Sequence, residues 1–311
     1  MGTFLVFLIK STGCLAAFYL FYRLLLSRDT FHRFNRMALL GVIAFSVVLP
    51  FIRLVTDEPV AAQHAMLDIE RMLQMAGTPD MAEAGRSGLP FWLAAVLAVY
   101  SVGCLFFGVR FLLSVRRIVR LVREGEVRML DGGVRLVVTP RPVAPFSWMK
   151  YIVISRIDLE ESGREILAHE RAHVHARHSL DIWLASACVV LHWFNPAAWL
   201  LKQELQNVHE YEADESVIRH GVDARHYQLL LIKKAVGAQR FTSMANSFNH
   251  SKLKKRITMM LKHKSNPWAR LKYLYVLPLA AIAVAAFARP EISRELEKVS
   301  DVQLSEVFTS Q

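Results

Sequence analysis

Four apolar runs divide this chain and limit what it can fold into. Phe4 to Leu26 is almost unbroken apolar sequence of about 23 residues, where about 20 suffice for a helix to cross a bilayer core. Met37 to Val55 is a second run, Phe91 to Val115 a third, and Tyr273 to Phe287 a shorter fourth interrupted by Pro278. Lys10 lies within the first run and can snorkel to an interface. No small-residue cleavage site of the A-x-A kind accompanies that run, so it reads as a retained helix. With 53% hydrophobic residues and a mean hydropathy of +0.27, an ordinary soluble domain is excluded.

The charges set an orientation. A net charge of +11 would point to nucleic acid in a soluble protein, but here the positive residues border the apolar runs. Arg28, Arg33 and Arg36 fill the link between runs one and two. Arg116, Arg117, Arg120, Arg123 and Arg128 follow run three, as an expected amphipathic helix at the membrane surface. Lys252, Lys254, Lys255, Arg256, Lys262, Lys264, Arg270 and Lys272 precede run four. The link from Thr56 to Ser87 is acidic by contrast, with Asp57, Glu58, Asp68, Glu70, Asp80 and Glu83. Basic loops stay inside. The expected organisation is therefore a membrane region at 1–115 with an external loop at 56–87, a cytoplasmic domain at 116–272, a fourth helix at 273–288 and a tail at 289–311, with both termini outside. No direct nucleic-acid partner is expected. Cys14, Cys104 and Cys188 lie in apolar stretches without metal-ligand spacing and read as buried hydrophobes.

The cytoplasmic segment contains His169-Glu170-Arg171-Ala172-His173, an H-E-x-x-H. On a helix, side chains four apart share a face, so His169 and His173 can grip one metal ion. Glu170 lies on the adjoining face and can take a proton from water there, the arrangement of a zinc peptidase. Ser162-Gly163-Arg164-Glu165 is a capping box and predicts a helix start, after which apolar and small residues continue through the motif.

A catalytic zinc usually takes three protein ligands, so a third is sought downstream. Asn195-Pro196 predicts a new helix, with Asn as cap and Pro at the first position, and Gly221 can end it. Inside lies Glu210-Tyr211-Glu212-Ala213-Asp214. Glu210 and Asp214 share a face; one can bind the metal while the other orients a ligand histidine. Glu212, two residues on, is a rival on another face. Asp181 can also hydrogen-bond a ligand histidine, or act as a helix cap. His192, His209 and His250 are candidate stabilisers of a reaction intermediate or plain structural histidines.

Val134 to Thr139 and Lys150 to Ser155 are strand-like, separated by the turn Pro140 to Pro145. They predict a small sheet that either pairs with an extended substrate or merely covers the helix. Ile182 to Phe194 is apolar but for His192, and its 13 residues fit a buried or re-entrant helix better than a span. No serine-nucleophile motif, phosphate loop or internal repeat is present.

Taken together, three early apolar runs, the H-E-x-x-H, the Trp193-Phe194-Asn195-Pro196 turn, the E-x-x-x-D and a last apolar run resemble the beta-lactam-sensing antirepressor metallopeptidases of the BlaR/MecR type. The resemblance extends to about Arg289. It implies a mainly α multi-pass membrane protein with about four transmembrane helices and a cytoplasmic gluzincin-like zinc peptidase domain carrying a small β-sheet. It further implies one zinc per chain held by His169, His173 and Glu210, Glu170 as general base, and Asp214 in support. The implied location is the bacterial inner membrane. The implied role is a zinc endopeptidase of signal transduction that removes a cytoplasmic transcriptional repressor, and can cut itself. A homodimer is a further expected partner. Pro290 to Gln311 contains no acylatable serine motif, so the beta-lactam ligand and penicillin-binding sensor domain are not carried over. The competing readings are a quality-control or prenyl-type membrane peptidase, and a non-catalytic membrane receptor with a residual metal site.

Overall fold

The structure, a computed structural model, describes residues 2–51, 55–56, 91–237, 246–287 and 289–290. The acidic segment from Asp57 to Ser87 and the tail beyond Pro290 lie outside the described residues. Among the described residues, four helices are long and apolar enough to cross a membrane: Phe4–Leu26, His32–Phe51, Phe91–Glu124 and Pro267–Ala285. They match the four apolar runs. The first is α1 (Gly2–Phe21) extended by a π turn at Tyr22–Leu26, and the second contains α2 (His32–Val48). The third is α3 (Phe91–Glu124). At 34 residues, about 51 Å at 1.5 Å per residue, α3 overshoots a core about 30 Å thick. Arg116, Arg117, Arg120 and Arg123 are helical as expected, continuous with the third run as the polar end of α3, while Arg128 lies on the strand that follows.

The chain forms two compact units. One comprises 1–18, 44–98 and 274–311. In it α1 buries Leu5, Leu8, Cys14, Leu15 and Phe18, and ring pairs Phe7–Phe51 and Phe18–Phe45 stand 4.9 and 6.0 Å apart. A short parallel pairing joins β1 (Val55–Thr56) to β6 (Arg289–Pro290).

The other unit comprises 19–43 and 99–273. Its sheet has four strands, β2 (Glu126–Met129), β3 (Arg135–Thr139), β4 (Phe146–Trp148) and β5 (Tyr151–Ser155), in the order β2-β3-β5-β4. β3 and β5 are the two strands expected, each a residue shorter at its start. They pair in parallel, so both faces need covering, and each strand is apolar on both. The period of two separates the faces. Leu136, Val138, Ile152 and Ile154 pack with Ile166 of the helix α4 (Arg156–His175). Val137 and Val153 pack with Ile118 and Val122 of α3. β2 and β4 were not expected; four and three residues long, they give too little alternation to read. β4 is an edge strand.

The helix start predicted at Ser162 needs correction. α4 begins at Arg156, where the Ser155 side chain accepts from the Asp158 N–H, and it breaks at Ser162, whose φ and ψ are −154° and 34°. The downstream half carries the H-E-x-x-H. Then follow α5 (His178–Leu191), α6 (Pro196–Arg219), α7 (Ala224–Gly237), α8 (Asn246–Leu261) and, in the first unit, α9 (Val276–Phe287). The start of α6 is as predicted: Asn195 Oδ1 accepts from the Ala197 N–H at 2.9 Å, and Pro196 takes the first position. Gly221, at φ +89°, follows its end. All three cysteines are free.

Candidate metal centre

One turn of α4 separates His169 from His173, and their Nε2 atoms converge to 3.1 Å. α6 packs across α4 and brings Glu210 to the same point. Its Oε2 lies 3.4 Å from His169 Nε2 and its Oε1 3.7 Å from His173 Nε2. One ligand atom from each of the three lies within 4.8 Å of the others. Two nitrogens bound to one tetrahedral zinc at about 2.0–2.1 Å stand about 3.3 Å apart. The observed spacing and the donor set of two imidazoles and a carboxylate therefore fit a zinc ion.

The electrostatics suit a cation. Burial works against charge on His169, but hydrogen bonds with Asp214 and Glu210 outweigh it and push its imidazolium up to about 10. Burial and the neighbouring His169 push His173 well below the usual imidazole range. Burial also opposes the Glu210 carboxylate, yet His169 and Arg256 hold it well below the usual carboxylate range. The position is one where a carboxylate is kept ionised against burial by positive charge.

The supporting groups form two arms. On the His169 side, Nδ1 lies 2.9 Å from the Tyr227 hydroxyl and 3.3 Å from Asp214 Oδ1, and Tyr227 donates to Asp214 at 2.8 Å. Arg256 of α8 donates to Asp214 at 2.8 and 2.5 Å and forms an ion pair with Glu210, its Nη1 2.9 Å from Oε2. Asp214, 1% exposed, is thus placed against His169 Nδ1 on the side away from Glu210 Oε2. On the other side, a His173 that offers Nε2 to a metal carries its proton on Nδ1 and donates to His178 Nδ1, 2.8 Å away. His178 then carries its own proton on Nε2, which faces Glu212 Oε2 at 3.3 Å. Glu212 therefore faces away from the histidine pair, toward His178, Arg36 and Arg33.

Asp181 differs from expectation. It lies within the first turn of α5, not before a helix, and its Oδ2 accepts from His209 at 2.9 Å and from Arg36 at 2.6 Å. It is placed against neither His169 nor His173, because the α4–α5 corner puts His178 between them. His209 stacks on His178 with ring centroids 4.0 Å apart. His192 is buried against the Cys188 carbonyl. His250 lies on α8, and its side chain is outside the described residues.

Glu170 is buried beside the cluster and hydrogen-bonded with Ser147 of β4; burial pushes its carboxyl up from the usual range. Glu170, His169, His173 and Glu210 line one cavity of about 960 Å³, with Phe146 to Trp148 of the edge strand along its wall. Arg256, Tyr227, His178 and Arg36 had no assigned role in the sequence reading. Arg36 and Arg256 were absorbed into the topology-setting basic clusters, and neither Tyr227 nor His178 falls in a motif.

No curated protein matches the chain. The sequence profile of the BlaR1 peptidase M56 family matches residues 38–260, a stretch that contains most of the second apolar helix, the third, the H-E-x-x-H and the E-x-x-x-D. That is well over half of the sequence, and it supports a membrane-associated metallopeptidase, to which His169, His173 and Glu210 offer a candidate metal site. The chain belongs to the BlaR1 peptidase M56 family.

Proposed function

We propose that this protein is an integral-membrane zinc endopeptidase of signal transduction, whose domain at 116–272 faces the cytoplasm and cleaves a regulator there, such as a transcriptional repressor. The observation that carries the reading is the convergence of two histidine Nε2 atoms and the Glu210 carboxylate beside a buried Glu170, in a cavity bordered by a sheet edge. His169, His173 and Glu210 hold the metal. A zinc ion bound there supplies Lewis acidity, which polarises a substrate carbonyl and lowers the pKa of a water. Glu170 is the general base: its carboxylate takes the proton of the attacking water and returns it to the leaving amine. Asp214 and Tyr227 fix His169, and His178 fixes His173, so both rings keep their Nε2 atoms aimed at one point. β4 offers unpaired backbone groups against which an extended polypeptide can add as a strand. A tie between α2 and the centre favours relay of a signal: Arg36 donates to the Ala176 carbonyl at 2.6 Å and to Asp181, at the corner that ends the metal helix.

The test is Glu170→Gln, which keeps a hydrogen-bonding side chain of the same size and removes the base. Zinc content should stay at one per chain, while cleavage falls about a hundredfold to ten-thousandfold. Comparison of protein N-termini in cells carrying each form would identify the substrate. Normal signalling by the variant at wild-type abundance would instead make the protein a receptor whose output is not proteolysis.

A further inference from the structure

From Ile182 to Leu201 there are 20 residues without a single Asp, Glu, Lys or Arg. Asn195-Pro196 divides them unequally, with 13 residues, Ile182 to Phe194, before it and five, Ala197 to Leu201, after it at the start of α6. The helical part of the longer arm, Ile182 to Leu191, is about 15 Å long and that of the shorter, Pro196 to Leu201, about 9 Å, so neither exceeds half of a hydrocarbon core about 30 Å thick. Charge resumes at both open ends, with Asp181 before and Lys202 and Glu204 after. A segment of this kind can enter a bilayer and leave by the same face, but cannot cross it.

Its packing gives a depth. The contacts run down α3, inside its apolar part. Trp183 meets Phe111 at 5.8 Å, Trp193 and Trp199 meet Phe107 at 6.0 and 5.2 Å, and Phe194 meets Tyr100 at 6.2 Å. At Gly103 a Cβ would stand 2.2 Å from the Trp193 ring, so only glycine lets the turn seat there. The turn therefore lies beside Tyr100 and Gly103. Tyr100 is 10 residues before Arg110, the first basic residue of α3, or about 15 Å along the axis, and 16 before Arg116, where the basic cluster begins.

The polar groups of the turn are satisfied from within. The Trp193 indole donates to the Tyr100 carbonyl and the Trp199 indole to the Trp193 carbonyl; Tyr100 donates its hydroxyl to the Leu191 carbonyl. Ser186 bonds the Ile182 carbonyl and Asn195 caps α6. That is the condition for backbone and polar side chains to lie in hydrocarbon. The outer face is apolar yet uncovered: Leu184, Leu191 and Leu200 are 48%, 49% and 46% exposed, continuous in character with Leu105 and Phe106 on α3. In water a surface of this kind is a liability.

We infer that the α5–α6 turn is a re-entrant hairpin immersed in the membrane beside α3, with lipid acyl chains covering Leu184, Leu191 and Leu200. The occupant is lipid because the exposed face continues that of a membrane-spanning helix and its interior is free of charge. The hairpin anchors the metal-centre unit to the bilayer independently of its four spans. If the peptidase reading also holds, a second consequence follows. The catalytic cavity is walled by Phe111 and Ile118 of α3 and Ile182 of α5, so it opens at the membrane surface, and its substrate strand runs along that surface.

The test uses the full chain in phosphatidylcholine–phosphatidylglycerol vesicles, with nitroxide labels at Leu184→Cys and Leu191→Cys. Leu105→Cys serves as the lipid-facing reference and Ile157→Cys, 62% exposed on α4, as the water-facing one. Collision with oxygen relative to a water-soluble nickel complex should match Leu105 and exceed Ile157 several-fold. A ratio equal to that at Ile157 places the hairpin in water and overturns the inference. Low collision with both reagents means protein covers it, such as a second copy, and also overturns it. If the labelled chains do not fold, Trp92→Phe/Trp148→Phe/Trp268→Phe leaves only the hairpin tryptophans Trp183, Trp193 and Trp199; absence of quenching by lipids brominated at mid-chain would be equally decisive. None of these readouts depends on proteolysis.

Discussion

Arg256 Nη1 stands 2.9 Å from Oε2 of Glu210, the carboxylate that faces the histidine pair. The same guanidinium holds the buried Asp214, so one half-buried cation from α8 faces both acidic residues of the E-x-x-x-D. Breaking a buried ion pair by removing one partner costs about 3–5 kcal/mol, because the other charge stays buried. Arg256→Ala should therefore unfold at lower temperature. Added zinc, a replacement cation for Glu210, should raise the melting temperature of the variant more than that of the wild type. Equal zinc shifts in the two proteins would mean that Arg256 and the metal do not share Glu210.

Glu210 and Glu212 separate cleanly in the structure, so their alanine variants should behave differently. Glu210→Ala should lose stoichiometric zinc. Glu212→Ala and His178→Ala should still bind one zinc but about 10–100-fold more weakly, the usual cost of removing a group that orients a ligand histidine. Equilibrium dialysis with a competing chelator measures both effects. Retention of full affinity by Glu210→Ala together with loss in Glu212→Ala would reverse the assignment.

Gly103→Val should disturb the metal centre from a distance. Its branched side chain would occupy the place of the Trp193 indole, and overpacking of this kind costs about 1–3 kcal/mol. The expected result is a lower melting temperature and shifted tryptophan emission, with Gly108→Val, whose Cβ meets only Val190 at 3.9 Å, much nearer wild type.

The orientation of the chain is tested with a membrane-impermeant thiol reagent on intact cells. A cysteine at Ile157 should stay unlabelled and one at Ala76, in the acidic link, should react. The opposite pattern would move the metal centre, and its substrate, to the other side of the membrane.

Where chemistry repeats along the chain, it was legible. The four spans follow from run length. The pairing of His169 with His173 follows from helical spacing, and the start of α6 from Asn195-Pro196, whose cap needs only neighbours in sequence. The start of α4 was misread for a related reason: Ser155 and Ser162 both suit a helix start, and the chain uses the first as cap and breaks at the second. β4 escaped notice because three residues show no period, yet it forms the cavity wall beside Glu170.

The sequence by itself determined the four long apolar helices, the helix bearing the H-E-x-x-H and the two carboxylates, Glu210 and Asp214, that share one face of α6. Each depends on backbone geometry over a few residues. Only the tertiary structure decided that Arg256 joins Glu210 to Asp214, that Tyr227 braces His169, that His178 stands between His173 and Glu212, and that Arg36 ties α2 to Asp181. These partners lie far from one another in the chain, Arg36 and Asp181 by 145 residues. A basic residue bordering a membrane helix looks the same in sequence whether it faces water or a buried carboxylate; packing brings the charges together, and burial makes their pairing obligatory.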